Sequence, residues 1–181
     1  MKTIIIVGLM GSGKTTLLKS MVKEHGFNEI LQYTSRPQRE NEVHGKDYYF
    51  VEDEFFFQTD MVTMKKFYAR FGVCHYGFGE HQFKKTDKVN ILVTDFNSAN
   101  AIKNFLGSDC YIIFLNPPIK NVRERLEIRG DDVSEVDRRL LADYERFYQY
   151  AHRHCDLEIF LEKKNHVQTI LEAYLKKEGI L

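Results

Sequence analysis

A glycine-rich segment near the amino end restricts the possible folds of this chain more than any other feature. It lies between an apolar run at 4–7 and the start of a helical pattern at 16–19. A buried strand, a glycine-rich turn and a helix in this order are typical of the P-loop, whose pattern is G-x-x-x-x-G-K-[ST]. The matching residues are Gly8, Leu9, Met10, Gly11, Ser12, Gly13, Lys14 and Thr15.

The residue types of this segment suit the binding of nucleotide phosphates. Glycines let the backbone wrap closely around a phosphate, whose charge is stabilised by backbone N–H groups and by the positive end of the following helix. Lys14 is expected to reach the β- and γ-phosphates of ATP, and the Thr15 hydroxyl is expected to bind Mg²⁺. The sequence therefore predicts an ATP site at 8–16, ending with Thr16, rather than a chance glycine-rich turn.

Composition limits the class of protein and its partners. A length of 181 residues suits one domain. The 26 basic residues balance the 26 acidic ones, so no broad positive field predicts nucleic acid as a partner. No apolar run approaches the length of a membrane span, and three cysteines without metal or redox spacing favour the cytoplasm. The sequence does not indicate an oligomeric state.

Apolar runs and helical patterns alternate along the chain. Near-continuous apolar runs, which suit parallel strands covered on both faces, occur at 3–7, 30–33, 90–94, 111–115 and 157–161. Amphipathic helical stripes occur at 102–106, 119–126, 136–151 and 167–175. This alternation predicts an α/β fold with a doubly wound parallel sheet, in which ligands bind beyond the carboxyl ends of the strands.

The segment 34–89 interrupts this alternation. It contains eleven aromatic residues within 48–78, and aromatic rings bury large areas in a small unit. It also contains two β-like pieces, at 47–51 and 67–73. We therefore interpret 34–89 as a small subdomain with an aromatic core. It would be inserted into one core domain formed by 1–33 and 90–181.

Two arginines open this inserted segment. Arg36 and Arg39 flank a turn that contains Pro37, and Tyr48 follows after a glycine. An arginine side chain presents a planar fork that binds phosphate through two hydrogen bonds, and a tyrosine adds a neutral donor. These residues suit the phosphate of an acceptor held opposite the P-loop. The alternative is that the arginines are solvated and paired with acidic neighbours such as Glu42.

The order of these motifs resembles that of the guanylate kinase family. Residues 34–48 align without a gap to the family pattern T-[TS]-R-x-x-R-x-x-E-x-x-G-x-D-Y, and Tyr76 begins a Tyr-Gly pair like that of the family. Asp95 resembles the second aspartate of the family's Ile-Leu-Asp-x-Asp strand. Two later motifs, R-L-x-x-R-G and R-L, are matched by Arg125, Arg129 and Arg139. The resemblance covers most of the chain.

The resemblance implies a P-loop nucleoside monophosphate kinase that transfers a phosphoryl group from ATP to GMP with Mg²⁺. Its fold would combine the doubly wound sheet with a nucleotide-monophosphate-binding subdomain at 34–89 and a helical lid at 125–140. Phosphoryl transfer needs mainly alignment and positive charge, which these motifs supply. The residues implied to hold the acceptor phosphate are Arg36, Arg39, Tyr48 and Tyr76. Those implied in catalysis are Lys14, Arg36, Arg125, Arg129 and Arg139.

The resemblance is weakest where the base of the acceptor should bind. The family has a serine at the position of Gln32, a glutamate at Phe67, and a serine or threonine at Phe78; only Asp95 of this set is kept. Phe67 and Phe78 suit stacking on a base or burial in the core, but neither replaces a carboxylate. Apolar walls discriminate weakly between bases, so we expect a measurable but relaxed preference for GMP.

Two other functions stay open on the sequence. A kinase of the same lineage that acts on a sugar phosphate is one, because ribose bisphosphate phosphokinases carry a Tyr-Gly-x-Gly run like that at 76–79. The set of Arg36, Arg39 and Tyr48 favours the nucleotide enzymes instead. The other is a non-catalytic binding module with a guanylate-kinase-like fold, and the intact Lys14 argues against it.

Overall fold

The computed structural model describes residues 1–69, 72–84, 87–129, 137, 140, 154–160 and 166–181. The strands are β1 (Thr3–Gly8), β2 (Asn28–Glu29), β3 (Tyr33–Thr34), β4 (Tyr49–Phe50), β5 (Met61–Ala69), β6 (Gly72–Gly79), β7 (Asn90–Val93), β8 (Cys110–Leu115) and β9 (Leu157–Ile159). The helices are α1 (Lys14–His25), α2 (Asp53–Gln58), α3 (Phe96–Leu106), α4 (Ile119–Arg129) and α5 (Val167–Lys177). No helix in the described ranges has both the length and the apolar character needed to cross a membrane.

The first sheet is parallel and has the strand order β2-β7-β1-β8-β9. β1 lies at its centre, where Ile4, Ile5 and Ile6 have no exposed surface. Ile5 packs in a cluster with Ile102 of α3, whereas Ile4 and Ile6 pack with residues of α1 and α5. Because successive strand residues point to opposite faces, helices cover both sides of the sheet. The predicted doubly wound parallel sheet is confirmed.

The second sheet has the strand order β4-β3-β6-β5, and all its strands lie between Tyr33 and Gly79. β3 pairs parallel with β4 and antiparallel with β6. β5 and β6 form an antiparallel hairpin whose last pair is Ala69 with Gly72. The β-like piece predicted at 67–73 is therefore divided between two strands, because the chain reverses direction inside it.

The predicted strand at 30–33 does not form as one strand. β2 ends at Glu29, although the N–H group of Ile30 still donates to a β7 carbonyl oxygen at 2.9 Å. Tyr33 already belongs to the second sheet, where it pairs with β6. Ile30 is buried in the main core, whereas the Tyr33 ring packs against other rings of the second sheet. The apolar run at 30–33 therefore joins residues that are buried in two different sheets.

The functional segments gather at the carboxyl ends of the parallel strands. β1 leads directly into the P-loop, and Asp95 follows β7 by two residues. The Asp95 side chain caps α3 by accepting hydrogen bonds from the backbone N–H groups of Asn97 and Ser98. β1 and β7 are neighbours, with Ile6 opposite Val93. The P-loop and Asp95 therefore lie at the same end of the first sheet, beyond the carboxyl ends of its strands.

Candidate active site

Glycines shape the P-loop in two ways. Gly11 has a φ of 72° and Gly13, which caps the amino end of α1, has a φ of 98°, and such positive values favour glycine. At Gly8 the constraint is space, because a Cβ atom would lie 2.6 Å from the carbonyl oxygen of Leu115. The first N–H groups of α1 have no partner within the helix and face the loop, an arrangement that binds anions.

Lys14 lies against the inner side of the loop. Its Nζ donates hydrogen bonds to the carbonyl oxygens of Gly8 at 2.9 Å and Leu9 at 2.7 Å. Thr15 and Thr16, the next two residues of α1, are exposed. The loop thus presents an ammonium group and two hydroxyl groups at one helix terminus. This set suits a nucleotide phosphate accompanied by a metal ion.

Helix α4 brings Arg125 to the P-loop. The Nη1 atom of Arg125 lies 3.3 Å from the carbonyl oxygen of Gly11 and 3.4 Å from that of Ser12. The neighbouring Leu126 is buried in a small cluster with Leu9 of the loop. This packing fixes α4 against the loop, so the position of Arg125 beside the phosphate site follows from the core beneath it.

Only part of the predicted lid at 125–140 is described. α4 ends at Arg129, whose side chain lies outside the described residues, and Arg139 also lies outside them. Leu140 is described and is buried in the same cluster as Leu9 and Leu126. The roles implied for Arg129 and Arg139 stay predictions.

A cavity of about 200 Å³ adjoins the P-loop. Its walls come from the first turns of α1, the segment after β8 and the start of α5, and include Thr16, Leu17, Pro117, Arg125 and Val167. Ligand pockets commonly combine apolar walls with a few polar groups that fix orientation. The cavity therefore suits the nucleoside part of a donor whose phosphates lie on the P-loop.

Arg36 is nearly buried, with 6% of its side chain exposed, and four hydrogen bonds fix its guanidinium group. Nη1 and Nη2 donate to the two carboxylate oxygens of Glu42, both at 2.7 Å. Nη1 also donates to the carbonyl oxygen of Pro37 at 2.8 Å, and Nε donates to the Tyr76 hydroxyl at 2.9 Å. The hydrogen bonds to Glu42 raise the pKa of Arg36 and lower that of Glu42.

Aromatic rings support the Arg36 guanidinium group. Its Cζ lies 5.2 Å from the centroid of the Tyr48 ring and 5.5 Å from that of Phe50. Tyr48 meets the Tyr76 ring edge to face at 6.1 Å, and burial raises the pKa of Tyr48. Arg39 differs, because its side chain is 76% exposed. The structure thus brings Arg36, Tyr48 and Tyr76 together and leaves Arg39 open to solvent beside them.

Comparison with known proteins identifies the family of the chain. The family model described as guanylate kinase matches residues 1–177. The chain belongs to the guanylate kinase family. The guanylate kinase of Blochmanniella floridana is 35% identical over 141 residues, which span 73% of this chain but only 66% of that relative's length. The guanylate kinase of Ruegeria pomeroyi is 32% identical over 183 residues, which span 94% of this chain and 84% of the relative.

Solved structures extend the comparison to the fold. A guanylate kinase from Anaplasma phagocytophilum matches with a TM-score of 0.69 at 20% identity, covering 99% of this chain and 87% of that one. A shikimate kinase from Bacteroides thetaiotaomicron matches with a TM-score of 0.54 at 16% identity, covering 98% of each chain. At these identities the likeness concerns the fold alone. Together with the family match it confirms the predicted α/β fold of the P-loop class.

The positions that align with base-binding residues of the guanylate kinase family lie in different environments. Phe78 is fully buried and packs on Phe83 in the core, so it offers a ligand no surface and fits the alternative of burial. Phe67 is 50% exposed and meets the Tyr76 ring edge to face at 5.2 Å. Gln32 is half-buried. Of the three substituted positions, Phe67 and Gln32 therefore stay accessible.

Asp95 forms an ion pair that sequence analysis did not predict. Its partner is Lys65 of β5, so the ion pair connects the second sheet to the end of the first sheet at which the P-loop lies. Burial alone would raise the pKa of Asp95, but the Lys65 ammonium group and hydrogen bonds from Ser98 hold it below its ordinary value. No motif marks Lys65, which is one of two adjacent lysines in the sequence.

Other supporting residues were also missed or undervalued. Sequence analysis treated Glu42 only as a partner of solvated arginines, whereas its side chain is 16% exposed and orients Arg36. The glutamate of the family pattern was the sequence signal that could have indicated this role of Glu42. The His75 backbone N–H donates to the Ser35 hydroxyl at 2.8 Å, and His75 Nδ1 lies 2.8 Å from an Asp53 carboxylate oxygen. These contacts tie β6 to the segment that carries Arg36.

Proposed function

We propose that the chain transfers the γ-phosphoryl group of ATP to the phosphate of a nucleoside monophosphate, with GMP as the preferred acceptor. The observation that carries the proposal is the presence of two groups of residues that suit anions, a P-loop with Lys14 and an arginine–tyrosine cluster around Arg36. The ion pair between Lys65 and Asp95 connects the sheets that hold them. Membership of the guanylate kinase family, with relatives named guanylate kinase, supports GMP as the acceptor.

In this proposal the two substrates bind on opposite sides of one cleft. Lys14 and the P-loop hold the donor phosphates, with Arg125 beside them. An oxygen atom of the acceptor phosphate attacks the γ-phosphorus atom, the bond to the β–γ bridging oxygen breaks, and ADP leaves with that oxygen. The protein contributes alignment and positive charge rather than covalent chemistry. The acceptor phosphate is held by Arg36, Arg39, Tyr48 and Tyr76.

Mg²⁺ is the metal ion that we propose to accompany ATP. A magnesium ion bound mainly by phosphate oxygens and water needs few protein ligands. Thr15 offers an exposed hydroxyl at the amino end of α1, which fits this requirement. Val93 occupies the position of the family's first strand aspartate and supplies no ligand. Bound Mg²⁺ would neutralise charge on the β- and γ-phosphates.

We further propose that 34–89 forms the acceptor-binding subdomain and 125–140 the lid. The second sheet, which carries the Arg36 cluster, is built from strands between Tyr33 and Gly79. The contacts of Arg125 with P-loop carbonyl oxygens support a lid that starts beside the donor phosphates. In this proposal the lid arginines meet the migrating phosphoryl group; they are Arg125, Arg129 and Arg139.

The test is a panel of acceptors with ADP formation from Mg–ATP as the readout. GMP, AMP, CMP, UMP and ribose phosphates are compared by kcat/KM, and GMP is expected to give the highest value. Lys14→Ala, purified in parallel, measures the background from contaminating kinases. Turnover with sugar phosphates alone would contradict the proposal in favour of a sugar-phosphate kinase. No turnover with any acceptor would favour a binding module.

A further inference from the structure

Lys65 lies on the same face of the second sheet as Tyr76, whose hydroxyl accepts a hydrogen bond from Arg36. It stands directly opposite Tyr76 in the antiparallel pairing of β5 with β6, and Tyr76 stands opposite Thr34 of β3. Directly opposed residues of antiparallel strands place their side chains on the same face of a sheet. Thr34, Tyr76 and Lys65 therefore form one row across three strands, which we call the acceptor row.

The two ends of the acceptor row differ in chemistry. At the β3 end, Phe50 of β4 is the register partner of Thr34, and its ring supports Arg36, which holds the acceptor phosphate in the proposed function. Lys65 lies at the β5 end, two strand spacings from β3, which is about 10 Å. A nucleotide held by its phosphate at Arg36 and extended along the row would bring its base to Lys65.

The ion pair with Asp95 leaves Lys65 able to donate further hydrogen bonds. Asp95 Oδ1 accepts from Lys65 and from the backbone N–H groups of Asn97 and Ser98, and its Oδ2 accepts from the Ser98 hydroxyl. Among the described residues Lys65 has no other hydrogen-bond partner, so two of its three N–H donors are available. The side chains of Lys65 and Asp95 are 28% and 39% exposed, so a ligand can reach them.

We propose that Lys65 is a specificity-determining residue that donates hydrogen bonds to the base of the acceptor. This inference rests on the proposed function, because it assigns a further residue to the acceptor site. An ammonium group only donates. Guanine presents two acceptors, O6 and N7, on one edge, whereas adenine presents an amino donor at the same place as O6. Lys65 thus favours monophosphates of 6-oxopurines over AMP.

The same argument predicts which acceptor bases Lys65 does not distinguish. GMP and inosine monophosphate share O6 and N7 and differ only in the 2-amino group, which an ammonium donor does not bind. Phe67 occupies the position of the family glutamate that takes the hydrogens of the guanine ring and amino group. Lys65 therefore supplies selection against 6-amino bases at a site where the carboxylate for the 2-amino group is missing.

The test compares Lys65→Met with Lys66→Met. Lys66 is the adjacent residue on the other face of β5, is exposed, and places its Nζ 5.6 Å from the Tyr68 ring. Loss of a charged hydrogen bond predicts a fall of roughly 10–100-fold in kcat/KM for GMP and for inosine monophosphate in Lys65→Met. The value of kcat/KM for AMP should fall less than about threefold in Lys65→Met. Lys66→Met should leave kcat/KM unchanged for all three acceptors. Lys65→Arg keeps the donors and should retain most of the preference.

Several outcomes would overturn the proposal. An equal loss for GMP, inosine monophosphate and AMP would show that Lys65 acts on the phosphate or on the fold. No loss with any acceptor would show that Lys65 does not contact the base. If the wild-type chain phosphorylates none of the three, the proposed function fails, and calorimetric binding of GMP and AMP to wild type and Lys65→Met still decides the role of Lys65. Selective weakening of GMP binding in Lys65→Met would then support it, and unchanged or equally weakened binding would refute it.

Discussion

Replacing Arg36 by alanine is expected to destabilise the fold as well as weaken acceptor binding. The Arg36 side chain is 6% exposed, and two of its four hydrogen bonds go to the Glu42 carboxylate. Removing one member of a buried ion pair costs about 3–5 kcal/mol, because the partner stays charged and poorly solvated. Glu42 keeps one hydrogen bond in this variant, from the Arg39 backbone N–H at 3.0 Å. We therefore expect the free energy of unfolding to fall by about 2–4 kcal/mol.

Urea unfolding followed by circular dichroism measures this loss. With a slope of about 2 kcal/mol per molar urea, the midpoint should fall by about 1–2 M. Arg39→Ala is the matched control, because its side chain is 76% exposed and its free energy of unfolding should change by less than about 0.5 kcal/mol. A midpoint for Arg36→Ala equal to that of the wild type would refute the reasoning.

A double-mutant cycle separates the ion pair from the ring contacts of Arg36. Arg36→Ala also removes the contacts with Tyr48 and Phe50, which do not involve Glu42. If the unpaired carboxylate causes most of the loss, Arg36→Ala/Glu42→Ala should be at least about 1 kcal/mol more stable than the sum of the single losses predicts. Additive losses would assign the effect to the rings instead.

Four further outcomes are expected. Lys14→Ala should keep its urea midpoint yet form ADP no faster than background, because it removes a cation beside the transferred phosphoryl group. Arg39→Ala should lower kcat/KM for the acceptor roughly 10–100-fold while the KM for ATP stays constant, and equal weakening of both would place Arg39 elsewhere. Phe67→Glu should raise kcat/KM for GMP by restoring a carboxylate near the base; unchanged GMP use would place Phe67 outside the pocket. The Arg36 hydrogen bonds hold the pKa of Glu42 below its ordinary value of 4.5, so they stabilise the fold fully above that pH and progressively less as the pH falls through the lower pKa. Unfolding free energies measured from neutral pH downward should therefore fall less steeply in Glu42→Gln than in the wild type.

The parts of the molecule that sequence analysis predicted are encoded by neighbouring residues. The P-loop is one continuous segment, and the buried strands that surround it appear as apolar runs because both faces of a parallel sheet are covered. The run at 34–48 likewise contains both Arg36 and Glu42. Their hydrogen bonds span six residues, and a turn in which the Glu42 N–H donates to the Arg39 carbonyl oxygen at 3.1 Å brings the two side chains within reach.

What the sequence left out depends on pairing between distant segments. Lys65 contacts Asp95 only because the β5–β6 hairpin packs against α3. The spacing of residues in the sequence does not predict this packing. The alignment with the family placed Phe67 at the base-binding glutamate. In the observed register, however, Phe67 pairs with Cys74 and Lys65 pairs with Tyr76. Hairpin register depends on where the chain turns, and a change in turn length moves every side chain along the partner strand.

Two cations near the proposed acceptor site, Arg36 and Lys65, are held by carboxylates of the chain itself. Glu42 fixes the plane of Arg36, and Asp95 fixes Lys65, so neither long side chain has to be ordered when a substrate arrives. These carboxylates offset the charges of Arg36 and Lys65, so we expect the attraction of an incoming phosphate to depend on Arg39, whose side chain is 76% exposed. In the proposed function the two arginines of one motif would therefore have separate tasks. Arg36 would provide a preorganised surface for the bound phosphate, and Arg39 would provide the charge that draws the phosphate to it. Salt screens exposed charges more than buried ones, so acceptor KM should depend less on ionic strength in Arg39→Ala than in the wild type, whereas Arg36→Ala should keep most of the wild-type dependence.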